Sequence, residues 1–451
     1  MKKLHLIYIF LVFTQILPLY ANSTPVQLEA KSKINWIKKE FTSNINLDID
    51  KTNIAFPQGK NVVLNKIQQK LPLLIKDPLL TINVDSENKL LDVILDQELS
   101  YKQVENIISS SKCTIGRFTN KSSIYSTDHN IDVTQISSLL VKHKTPYKLQ
   151  KPINYVSSKK YTGIIIDARG TLPVHGEFVQ DKVNPCLFPK VYSSDMELFY
   201  EKNMVDSVKS KESGICNYDY SDNLEKYINL IGNEPLYIVA QKTFGQNRSD
   251  LIIKNEDALK ITSIAENLNL IKEGKVVILL EKEKLIYDVS SPIKDEMYYT
   301  ILNKVKLYPV RELLGPDKIE NGPDGIKFLY NLKFVPDSPE LLQEEKPRIE
   351  ECAKLLKEAL KDSAYTIFVA GHTADIGQPE NQMILSIQRT QTIIDALVNE
   401  GIQKNIFTYR GYGATIPAEG GDNSTPEGMA VNRRVEITLR PRTTYIQRTS
   451  F

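Results

Sequence analysis

At 451 residues, 41% of them apolar and 25% charged, the chain has ordinary globular composition and length for two to four domains with separate cores. Its 57 basic and 55 acidic side chains leave a net charge of +2, which argues against a phosphate-dominated nucleic-acid binder. Cys113, Cys186, Cys216 and Cys352 are widely spread, and the five histidines are scattered, so neither a metal site nor a cofactor is expected.

The chain opens with Lys2 and Lys3 before an apolar run broken by Pro18. This pattern predicts a signal peptide over 1–21, cleaved after Ala21, and hence export to the periplasm; the alternative is an uncleaved N-terminal anchor. No cysteine stands near the cleavage position to carry a lipid anchor. Residues 22–150 read as a small α+β domain of unknown role. Ser100 and Gln103 form a capping-box pair opening a helix through Val104, Ile107 and Ile108. Leu90–Leu95 reads as either helix or strand, and Pro57, Pro72 and Pro78 punctuate the segment before it.

From about residue 151 to 313 apolar β-rich runs alternate with charged helical segments, which predicts a mixed α/β domain. The runs are Tyr161–Gly170, Leu236–Ala240 and Val276–Leu280, and one helical segment extends over Asn255–Ile271. Asp167 and Arg169, at a strand end without a nucleophile nearby, read as a structural ion pair rather than an active site. Cys186 and Cys216 lie in this domain and could pair in an oxidising compartment, or stay as free thiols. Residues 314–325, with repeated Gly-Pro-Asp elements, read as a linker.

The terminal unit, 326–440, shows strand, helix, strand, helix, strand and strand in turn: two helices on one face of a four-stranded sheet. Pro347 suits a helix first turn, and Ile349, Cys352, Ala353, Leu356, Ala359 and Leu360 follow at helical spacing. Thr366–Ala370 is a β-branched strand, Gly371–Glu380 a turn-rich loop, and from Asn381 a helical stripe runs through Met383, Ile387, Thr390, Ile394 and Leu397. Gly401 ends that helix. Ile406–Gly411 and Val435–Arg440 are the remaining strands, separated by a long loop with two prolines and four glycines. The tail 441–451 is expected to be disordered. Arg389 sits one position off the apolar stripe. With Asp375 at the same helix N-terminus, it suits a ligand bearing both an ammonium and a carboxylate.

GHTADIG at Gly371–Gly377, LSIQR at Leu385–Arg389, RGYG at Arg410–Gly413 and NRRVEITL at Asn432–Leu439 together resemble the peptidoglycan-binding domain at the C-terminus of OmpA, shared with the Pal lipoprotein and the MotB stator protein. The resemblance implies an α+β βαβαββ-type sandwich and non-covalent capture of a peptidoglycan stem peptide. Its site would comprise Thr373, Asp375, Asn381, Arg389, Asn432, Arg433 and Arg434. An acid would take the ammonium of diaminopimelate, and Arg389 its carboxylate; of Arg433 and Arg434, one would face the cleft and the other solvent. The usual family acid position is Ala374 here, and Asp375 stands one residue later, a step of about 3.8 Å along the chain. YTGIIIDARG, NEPLYIVA (Asn233–Ala240) and SDLIIKNEDALKI (Ser249–Ile261) are similar to the FlgT and lipoprotein group of exported bacterial proteins. That pairing of domains resembles spirochaetal envelope proteins and implies envelope or flagellar protein partners for the first two domains.

Three functions are consistent with the residues: a non-enzymatic scaffold tethered to peptidoglycan, a structural envelope or flagellar protein that has lost diaminopimelate binding, and a wall-acting enzyme. The first is favoured. No paired carboxylates, metal triad or nucleophile–base pair supports the third.

Overall fold

The computed structural model describes residues 28–52, 54–119, 123–147, 156–309, 314–361 and 365–450. The expected leader over 1–21 lies outside them. No helix among the described residues is long and apolar enough to cross a membrane.

Strands Leu28–Asn35, Glu40–Asp48 and Ile124–Asp132 form an antiparallel meander whose alternate side chains point into the core. Across it lies helix Lys60–Leu80, which buries Val63, Ile67, Leu71 and Leu74. Pro72 and Pro78, expected to break structure, lie inside this helix. Burial of its long stripe outweighs the roughly 3 kcal/mol that an interior proline costs. The capping box is present: Gln103 N donates to Ser100 Oγ (3.4 Å) and Ser100 N to Gln103 Oε1 (3.0 Å), opening helix Tyr101–Ser109. Leu90–Leu95 is helical.

In the middle unit a parallel sheet runs in the order Asn217–Asp219, Val276–Leu279, Ile164–Asp167, Leu236–Val239. Its two central strands are covered on both faces, which is why they read as continuous apolar runs. A second sheet joins Leu198–Tyr200, Val191–Ser193, Asp250–Ile253 and Lys242–Phe244. The helical segment from Asn255 breaks at Ser263 into two helices, Asn255–Thr262 and Ala265–Lys272. Asp167 and Arg169 form a local ion pair, with Arg169 Nε 2.9 Å from Asp167 Oδ1. Cys186 and Cys216, which the sequence allowed to pair, are free thiols here, both buried. Tyr218 stands between them in the packing: its hydroxyl donates to Cys186 O (3.0 Å).

The C-terminal unit has the four expected strands: Ile326–Tyr330, Val435–Arg440, Thr366–His372 and Phe407–Gly413, neighbours in that order. Helices Lys346–Leu360 and Pro379–Asn399 bury Leu356, Ile393 and Leu397 against one face. Three expectations fail around it. The expected linker contains Lys318–Asn321, which pairs with Ile326–Tyr330 and makes the sheet five-stranded. Helix Glu296–Lys306, assigned by sequence to the middle unit, buries Tyr298, Ile301, Leu302 and Val305 in the C-terminal core. The expected disordered tail forms strand Ile446–Thr449, which pairs with Leu28–Lys31 at the other end of the chain. Farther along the same N-terminal strand, Lys33–Asn35 pairs with Ile286–Asp288. Backbone hydrogen bonding to an open strand edge drives the strand additions, which apolar periodicity does not report, whereas the helix is recruited by its apolar face.

Candidate functional site

The site is built where the central strand Thr366–His372 runs into the loop 373–378 and then helix Pro379–Asn399. Pro379 occupies the first helical turn, where a missing N–H costs nothing. Close packing sets the helix position. A Cβ on Gly371 would lie 2.2 Å from Thr390 Oγ1 and 2.6 Å from Ser386 O, so only glycine allows the helix to lie this near the strand. Ser386 Oγ accepts from Gly413 N (2.9 Å), tying the helix to the neighbouring strand.

The front of the helix is clamped by a different unit. Met383 and Ile387 pack with Phe244 and Ile252 of the middle unit, whereas Ile393, Ile394 and Leu397 fill the C-terminal unit's own core. The apolar stripe read from the sequence thus serves two cores.

A cleft of about 1130 Å³ opens beside the loop and the helix. Of the predicted site residues, Thr373, Asn381, Arg389 and Arg433 line it, with Phe334, Asp337 and Ala374. Arg389 is 9% exposed; its guanidinium stacks over the Phe334 ring at 4.8 Å and its Nε donates to Ser338 O at 3.1 Å. Burial lowers its pKa from the ordinary arginine value, Arg433 pushes the same way, and Asp337 opposes both. The arginine is held in place yet offers its remaining N–H groups to the cleft. Arg433, exposed at the end of helix Pro426–Asn432, adds a second cation. Thr373 Oγ1 is buried and has no hydrogen-bond partner among the described residues.

Asp375, Asn432 and Arg434 lie elsewhere. Asp375 Oδ1 accepts from Gln382 Nε2 (3.1 Å), which also donates to Gly377 O (3.3 Å), so this carboxylate closes its own loop. Asn432 is spent on the long loop before the last strand: its Oδ1 accepts from Ala418 N and its Nδ2 donates to Gly421 O, both at 2.8 Å. Arg434, expected at the cleft or in solvent, is buried on the sheet's opposite face, with Nε 2.8 Å from Glu436 Oε1. The helix ends at Asn432 and the strand begins at Val435, and in the two-residue junction between them Arg433 faces the cleft while Arg434 turns to the other side. On that opposite face His372 stacks on Tyr412 with centroids 5.0 Å apart. Burial pushes the His372 imidazole down to about 3, while Glu436, against burial, is held at about 2 by His372, Lys327 and Arg434.

Sequence reading gave no role to Arg410 of the RGYG signature. Its side chain is fully buried at the junction of the units, with Nε 3.5 Å from Glu177 Oε1 and its guanidinium 5.1 Å from the Phe244 ring centroid. Glu177 also pairs with Arg248 (2.9 Å). Among the described residues no cluster of His, Cys, Asp and Glu could hold a metal ion.

Three segments match known families: residues 27–139 the N-terminal domain of Treponema pallidum Tp0624, residues 163–282 its second domain, and residues 333–433 the OmpA family. The middle segment, compared by sequence with FlgT, thus matches a Tp0624 domain. The probable lipoprotein YiaD of Escherichia coli is 32% identical over 145 residues, 32% of this chain and 64% of that one. Outer membrane porin F of Pseudomonas aeruginosa is 32% identical over 115 residues, 25% of this chain and 31% of that one. The peptidoglycan-binding protein ArfA of Mycobacterium tuberculosis is 33% identical over 108 residues, 24% of this chain and 32% of that one. The chain therefore spans less than two thirds of each of these relatives. Among solved structures, an outer membrane protein of Borrelia burgdorferi B31 aligns with 30% identity over 27% of this chain and 96% of its own, at a TM-score of 0.23.

Proposed function

We propose, for a chain whose C-terminal unit is an OmpA-family domain, that it is an exported, non-enzymatic envelope protein that binds peptidoglycan non-covalently through the cleft at the start of helix Pro379–Asn399. The observation that carries this reading is Arg389: a guanidinium stacked on Phe334 and anchored to Ser338 O, facing a cleft open to solvent and large enough for a short peptide. A fixed, planar fork of donors in a half-dry setting is suited to a carboxylate. Arg433 supplies a second cation, and Asn381 and Thr373 supply neutral hydrogen-bonding groups at the helix start. The ligand that fits is the free end of a stem-peptide side chain carrying a carboxylate and an ammonium. The match to a relative named as a peptidoglycan-binding protein supports the same reading. The first two units would present the wall-bound end to other envelope proteins, with the leader removed after Ala21.

The test is co-sedimentation of the full chain with purified sacculi of diaminopimelate type. The full chain is the right material because Met383 and Ile387 of the site helix are covered by the middle unit. We expect Arg389→Ala to weaken binding at least about tenfold, as loss of a charge-assisted bidentate contact does. Equal retention of wild type and variant would exclude Arg389 as the anchor. Wild type remaining in the supernatant would favour a structural envelope protein that has kept the fold without wall binding, the reading motivated by Ala374.

A further inference from the structure

Asp375 was the only acid that the sequence placed at the cleft; it is not among the cleft-lining residues, and its Oδ1 accepts from Gln382 Nε2 in closing its own loop. The acid that does line the cleft comes from another element. Asp337 stands in the turn after strand Ile326–Tyr330. Val335 N donates to Glu340 O (2.8 Å) and Ser338 N to Val335 O (3.1 Å), which closes this turn on itself. Arg389 Nε then donates to Ser338 O (3.1 Å), so the turn is fastened to the anchoring arginine one residue from the acid. Asp337 itself has φ 52°, a left-handed conformation that Asp tolerates better than most residues. Its carboxylate makes no hydrogen bond or ion pair with the described residues.

We propose that Asp337 is the specificity-determining carboxylate of this cleft, receiving the ammonium of a ligand whose carboxylate is held by Arg389. The assignment rests on the wall-binding reading above. Two arginines alone would select any anion. An acid beside them, left free by its own loop, selects a zwitterionic end group, with opposite charges met by opposite partners. The turn and the helix both converge on Arg389, so the acid and the base are positioned together. The replacement of the family acid by Ala374 is thereby offset without a change in ligand chemistry.

The experiment uses the full chain and two preparations of the same diaminopimelate-type sacculi: one native, one N-acetylated so that free side-chain amines are neutral while carboxylates remain. Wild type should bind native sacculi about tenfold better than acetylated ones, the scale of losing one charged partner at a partly exposed site. Asp337→Asn keeps size and backbone tolerance; it should bind both preparations alike, at the level of wild type on acetylated wall, while Asp375→Asn should keep the preference. Wild type indifferent to acetylation overturns the assignment, as does Asp337→Asn that binds like wild type. Wild type that pellets with neither preparation overturns the wall-binding reading itself, a result distinct from either.

Discussion

At the scale of single residues, side-chain volume and charge decide whether the site exists. Gly371 is set by space, since any Cβ there meets the backbone of Ser386 as well as the movable Thr390 hydroxyl. We expect Gly371→Ala to destabilise the chain by about 1–3 kcal/mol through overpacking, read as a lower midpoint of thermal or urea unfolding. An unchanged midpoint would mean that the helix moves away at little cost. The position of Arg389 was legible before the fold: one step off an apolar stripe places a long side chain at the boundary of the buried face. The direction of Asp375 was not legible. A one-residue shift in a loop changes which way a carboxylate points, and only the hydrogen bond to Gln382 shows where it went.

At the scale of elements, strands and helices with strong apolar periodicity stand where their patterns put them, and polar segments do not. Lys318–Asn321 and Ile446–Thr449 carry little apolar signal, yet both become strands by pairing along an open edge. Deleting residues 446–451 should leave the C-terminal core intact and unprotect the N-terminal sheet. Hydrogen exchange would read this as faster exchange in Leu28–Lys31, with Ile326–Tyr330 unchanged. Uniform loss of protection would instead indicate that the units unfold together. The same tail makes polar contacts, Gln447 Nε2 to Ser291 Oγ (2.7 Å) and Arg448 to Glu29 (3.2 Å), that hold its register on the strand.

At the scale of the whole molecule, the junction of the three units holds a buried polar cluster beside its apolar contacts. Asp250 accepts from Ser86 Oγ (2.6 Å) and Lys190 N (2.9 Å), Glu87 lies beside it, and Arg410 reaches Glu177 across the interface. Burial raises Asp250 and Glu87 to about 7. An acid raised in the folded state lends stability below its unfolded pKa and loses it as pH rises through the folded value. Asp250 should therefore cost stability progressively between about pH 4 and pH 7. Asp250→Asn removes that dependence, so its melting temperature relative to wild type should rise across this interval and level off above it. A difference that stays flat with pH would show that Asp250 is ionised throughout. His372 works in the opposite sense: lowered to about 3, it withdraws stability as pH falls from about 6.5 toward 3.

What the sequence determined by itself was the part governed by local physics. Helix Pro379–Asn399, the strands around it, the capping box at Ser100 and the anchoring arginine all follow from periodicity, turn chemistry and side-chain reach, which act within a few residues. What only the tertiary structure decided was everything that depends on partners distant in the chain. The tail closes on the first strand, Met383 and Ile387 are buried by another unit, Arg410 is placed at the junction, and Asp337 and Arg389 line one cleft. Backbone edges and charges carry no periodic signal of their own, so their partners are fixed only when packing brings remote segments together.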